Sequence, residues 1–143
     1  MDNSKAAAFH ARLKGRFLGM LQWQQLDALW QRVKGGQWYF YQVGEILPDT
    51  PLHGDELARR VDALNTLLRQ EHAYHYCGIV YADDEERPSL IKVYDPNNLG
   101  SSCGYSTAPV LPRWILSTVQ PAPIESDIPT PGNRKHWWQL FSH

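Results

Sequence analysis

Residues 55–94 read DELARRVDALNTLLRQEHAYHYCGIVYADDEERPSLIKVY, and this stretch decides the fold class. Its first part, Asp55–His72, places Leu57, Val61, Leu64 and Leu68 at helical spacing, so one stripe is apolar and the rest is polar. Asp55 and Glu56 stand in the first turn, where carboxylates suit the positive end of the helix dipole. The second part changes period. Tyr74–Ala82 and Ser89–Tyr94 are rich in β-branched and aromatic residues, and the acidic run Asp83-Asp84-Glu85-Glu86-Arg87-Pro88 separates them. That pattern predicts an antiparallel hairpin with a solvated loop.

Upstream, residues 4–34 read as one helix. Phe9, Leu13, Phe17 and Met20 recur at helical spacing, followed by Leu26, Leu29, Trp30 and Val33. Gly15 and Gly19 weaken its middle, so a kink or break is expected near Gln22–Gln25. Lys34-Gly35-Gly36 is a stop signal, with a cation in the last turn and glycine beyond it. Gln37–Val43 (QWYFYQV) reads as a short aromatic strand. Downstream, Asp95-Pro96-Asn97-Asn98-Leu99-Gly100 is a turn signal and Arg113–Val119 a further strand. Residues 120–132 hold Pro121, Pro123, Pro129 and Pro131 and are expected to be extended.

Strands do not alternate regularly with helices, which argues against a doubly wound parallel sheet. The expected fold is α+β. It has a three- to four-stranded, mainly antiparallel sheet, with the N-terminal and central helices packed on one face. Residues 1–119 form a single domain in this reading. Residues 120–143 form a Pro-rich arm with an aromatic anchor, docked on the domain or on a second copy.

Length and composition narrow the function classes. A chain of 143 residues with 43% hydrophobic and 20% charged residues suits one globular domain and not a disordered chain. The net charge of −1 argues against a dedicated nucleic-acid binder, which needs a basic excess to neutralise phosphates. Residues 1–34 are locally basic, with Lys5, Arg12, Lys14, Arg16, Arg32 and Lys34 against Asp2 and Asp27; such a face is usually just solvated. Lys5–Arg16 faintly echoes a transit peptide, which Asp2 and the scarcity of serine weaken. No secretory signal and no membrane-length apolar run is present, so a reducing cytosol with free Cys77 and Cys103 is expected.

Three features carry possible chemistry. Gly100-Ser101-Ser102-Cys103-Gly104 matches the letters of a nucleophile elbow, but Tyr105–Pro112 is a poor helix start and the chain is too short for that architecture. Cys103 remains a candidate nucleophile, with His75 as its base and Asp95 orienting the histidine. Second, if Tyr74–Ala82 is a strand, His75 and Cys77 share a face and form half of a metal site that Cys103 would help complete. The ordinary alternative is a buried Cys77 that packs as a small hydrophobe. Asp95–Gly100 also resembles the start of a calcium loop, yet Leu99 and Ser106 stand where ligands are needed. Third, Trp137, Trp138, Leu140 and Phe141 close the chain; Trp137, Leu140 and Phe141 fall on one face of a helical turn.

The aromatic run Trp38–Tyr41 lacks the spacing of an RNA-reading strand, and cross-strand packing explains it more simply. No cofactor is expected. Among function classes, a non-enzymatic interaction or accessory module of the cytosol leads, with a protein partner or a second copy held through the C-terminal arm and neither nucleic acid nor membrane as partner. A small thiol- or metal-dependent enzyme using Cys103 with His75 is the alternative.

Overall fold

In a computed structural model, the described residues are 3–72, 74–75, 77–97 and 111–124. The candidate residues Cys103, Trp137, Trp138, Leu140 and Phe141 lie outside them. The fold is α+β, with three helices and a five-stranded antiparallel sheet among the described residues. The elements are α1 (Asn3–Leu13), β1 (Leu18–Gly19), α2 (Trp23–Lys34), β2 (Tyr39–Gln42), α3 (Gly54–Glu71), β3 (Val80–Ala82), β4 (Leu90–Val93) and β5 (Trp114–Ser117). In space the strands run β1-β3-β4-β5-β2, every pair antiparallel.

The N-terminal region breaks where a kink or break was expected, but the interruption is longer than that reading. α1 stops at Leu13, and α2 starts at Trp23, so the break is a whole segment rather than a kink. The reason is long-range. The Met20 N–H donates to the Val80 carbonyl (2.8 Å), and the Gly78 N–H donates to the Met20 carbonyl (2.9 Å). The backbone around Met20 thus pairs with the approach to β3 instead of with its own helix. Gln25 then starts α2, its side-chain oxygen accepting from the N–H groups of Gln22 (2.9 Å) and Leu21 (3.0 Å). These are backbone donors that a helix start otherwise leaves without a partner.

The same break changes the layering. Neighbouring residues on a strand point to opposite faces. Phe40, Ile91 and Leu116 join the larger core, with Leu26, Leu29, Trp30 and Val33 of α2 and Leu57, Val61, Leu64 and Leu68 of α3. Their neighbours Tyr41, Leu90 and Ile115 join a second core with Phe9 of α1. Helices therefore cover both faces of the sheet, α2 and α3 on one and α1 on the other, where packing on one face was expected. The stripe read from α3 is fully buried, and burying each such side chain stabilises by about 1.5–3 kcal/mol.

The second core also takes in the beginning of the Pro-rich stretch. Ala122 is buried there, Val119 and Ile124 pack against it, and the His10 ring nitrogen Nε2 bonds to the Pro123 carbonyl (3.1 Å). The hairpin loop is built by its own carboxylates. Asp83 Oδ1 accepts from the N–H groups of Ser89 (2.8 Å) and Leu90 (3.1 Å), and Asp84 Oδ1 accepts from Glu86 (2.8 Å) and Arg87 (2.9 Å). The Arg87 and Glu86 amides hold the Asp84 carboxyl below its ordinary value. Among the described residues no helix is long and apolar enough to cross a membrane.

Candidate functional site

β3 begins only at Val80, so the strand alternation that would pair His75 with Cys77 does not reach them. His75 is exposed on the turn after α3, whereas Cys77 is fully buried in the larger core. Burial pushes the Cys77 thiol above its ordinary value, away from the thiolate that nucleophilic chemistry needs. The Cys77 carbonyl accepts a hydrogen bond from His72 Nε2 (2.8 Å), which fixes the tautomer with the proton on Nε2, because a carbonyl only accepts. His72 is itself buried, with edge-on ring contacts to Trp23 and Tyr74. Asp95 is buried, and its Oδ1 accepts from the Asn97 N–H (2.9 Å), a local turn bond of the kind the sequence suggested. Asn97 Nδ2 donates onward to Glu71 Oε1 (2.5 Å), tying that turn to the end of α3. Among the described residues, no three His, Cys, Asp or Glu side chains gather to hold a metal ion.

A different place in the fold has the shape of a binding site. The register pairs Gly19 with Tyr81, Tyr81 with Lys92, and Lys92 with Ile115, so these residues form one row across the sheet on the α1 side. Ile115 at one end of the row lies in the second core. Toward β1 the helix no longer covers the sheet, and an open groove of about 590 Å³ remains there, lined by Gly15, Phe17, Gly78, Ile79, Tyr81, Lys92 and Tyr94. Pockets for small ligands span roughly 300–1,000 Å³.

Each wall has a local cause. Phe17 lies in the segment that leaves α1, and it is held against the second core. The Lys92 ammonium sits 3.9 Å from the Phe17 ring centroid, a cation over an aromatic face. The Tyr81 and Tyr94 rings meet edge to face at 5.7 Å and 82°, forming a corner. Gly19 makes room for that corner, since a Cβ there would lie 3.2 Å from the Tyr81 ring. Gly78 turns the chain with φ of 70°, in the left-handed region that favours glycine.

The electrostatics of the groove are set by burial. Desolvation lowers the pKa of Lys92 from the usual lysine value, so its charge is less well solvated than on an open surface. Burial first, and the neighbouring Tyr81 second, raise the pKa of Tyr94. Its hydroxyl stays protonated at neutral pH and can donate a hydrogen bond. Both described ion pairs, Lys34–Asp62 and Arg69–Asp27, join α2 to α3, and among the described residues no carboxylate pairs with Lys92.

Sequence reasoning missed this groove. The one available signal was Lys92 inside the apolar run Leu90–Tyr94, which alternation reads as an ordinary solvent-facing position. No family model, curated protein or solved structure matches the chain.

Proposed function

We propose that this protein is a non-enzymatic binding module of the cytosol, an accessory protein that holds a ligand in the groove between the α1–β1 turn and the β3–β4 strands. The observation that supports this reading is the composition of the groove. Among the described residues its side chains are Phe17, Ile79, Tyr81, Lys92 and Tyr94, which offer aromatic surface and hydrogen-bond donors and include no carboxylate, imidazole or thiol. The free, buried thiol of Cys77 suits a reducing compartment.

The test is heteronuclear NMR on the full-length protein with a mixture of small aromatic acids, amines and neutral compounds. Amide shifts should cluster at Gly15, Phe17, Gly78, Tyr81, Lys92 and Tyr94, and every compound should be recovered unchanged. Shifts elsewhere, no shifts at all, or a newly formed compound would count against the reading.

A further inference from the structure

Resting on that reading of the groove, we infer that its occupant is a small planar organic anion: an aromatic ring lodged at the Tyr81–Tyr94 corner, with a carboxylate bound by Lys92. The argument is one of complementarity. Lys92 and Tyr81 are direct partners across β3 and β4, and neighbouring side chains on one face of such a pair lie about 4.5–5.5 Å apart at Cβ. A ligand touching one therefore touches the other. Tyr94 stands two residues beyond Lys92 and closes the corner with its ring edge to face on Tyr81. A flat ring entering that corner stacks on one tyrosine and meets the edge of the other, the two arrangements aromatic pairs favour.

Charge selects the head group. Lys92 is half-buried, and the Phe17 ring provides only the weak electrostatic partner that an aromatic face supplies. An ammonium has three N–H donors and no acceptor, so contact with one ring leaves donors for a carboxylate. Tyr94, also on the groove lining, brings a hydroxyl that can donate as well. A cationic or neutral head group would leave the Lys92 charge uncompensated, and a cationic one would add repulsion. Size selects a small molecule over a folded partner: at about 590 Å³ the groove matches a compound of one or two rings. Gly15 and Gly78 present bare backbone on two walls, so a rigid planar body meets no side chain there.

The experiment compares two probes that share a ring system and differ in charge, 2-naphthoate and 2-naphthamide, titrated into the full-length protein by calorimetry. The wild type should bind one equivalent of 2-naphthoate, roughly tenfold or more tighter than the amide, as expected when one charge-assisted hydrogen bond is added. Lys92→Met should remove that preference while leaving amide binding within about twofold, because methionine keeps the length and apolar stem. Tyr94→Ala should weaken both probes. Near-UV circular dichroism establishes that each variant is folded; if Tyr94→Ala loses its tertiary signal, Tyr94→Leu replaces it. Equal binding of acid and amide to the wild type, unchanged by Lys92→Met, overturns the anion assignment while leaving a binding groove. Binding of neither probe overturns the assignment and the binding reading together.

Discussion

The two faces of the sheet are built to different standards. On the α2–α3 face, leucines from both helices close over Phe40, Val80, Ile91, Val93, Trp114 and Leu116 in one continuous core. On the α1 face, among the described residues, a smaller core of Phe9, Tyr41, Val43, Leu90, Ile115 and Ala122 covers the β2 and β5 side and leaves the β1 and β3 side open. The first face supplies most of the apolar burial that opposes chain entropy. The open part of the second carries the half-buried Lys92 and Tyr81, beside Tyr94, which also packs against the larger core. A domain of this size can keep one face for stability and leave part of the other open.

The largest test of this contrast is Trp114→Ala. Trp114 is fully buried in the larger core, and its truncation should destabilise the domain by about 4 kcal/mol, read by urea unfolding. A loss below about 1 kcal/mol would show that the α2–α3 face does not dominate stability. Phe9→Ala should have a smaller effect, about 2 kcal/mol, because α1 can detach locally and so limit the loss to its own docking energy. Hydrogen exchange should then accelerate in α1 while α3 stays protected; equal acceleration in both would merge the two faces into one cooperative unit.

The smallest effect belongs to Lys92→Met. At neutral pH the stability change should lie within about 0.5 kcal/mol, since one cation–ring contact is lost and one desolvated charge is relieved. The pH dependence has a defined sign. The folded state lowers the Lys92 pKa, so the unfolded chain holds its proton to higher pH. Wild-type stability relative to Lys92→Met should therefore rise as pH climbs from the lowered folded value toward the ordinary 10.5. A difference that is flat with pH, measured by thermal melts across that window, would mean that the groove leaves Lys92 as well solvated as a surface lysine.

Much of the secondary structure was legible locally. The Leu57, Val61, Leu64 and Leu68 stripe is a buried helix face, the Gly35-Gly36 stop ends α2, and the acidic run links β3 to β4. These signals lie within one element or between neighbours. The expected break near Gln22–Gln25 is present, but the spacing of Phe9, Leu13, Phe17 and Met20 carried the helix past Leu13, where it ends. A single helix and a broken one share that pattern, and the partner that breaks it, Val80, lies far along the chain. Strand count came out at five because β1 is two residues long, too short for any pattern to announce. Of the candidate site, His75, Cys77 and Asp95 could be named in advance, but not their exposure or partners. Cys103 and the terminal Trp137, Trp138, Leu140 and Phe141 fall outside the described residues.

By itself, then, the sequence determined the α+β class, the amphipathic helix α3 and the antiparallel hairpin, because periodicity and turn chemistry act over a few residues. Only the tertiary structure decided that α1 crosses to the second face and that Gly15, Phe17, Gly78, Tyr81, Lys92 and Tyr94 surround one groove. Those residues come from separate segments, and their meeting depends on which strands pair and in what register, a property of the whole chain and of no window within it.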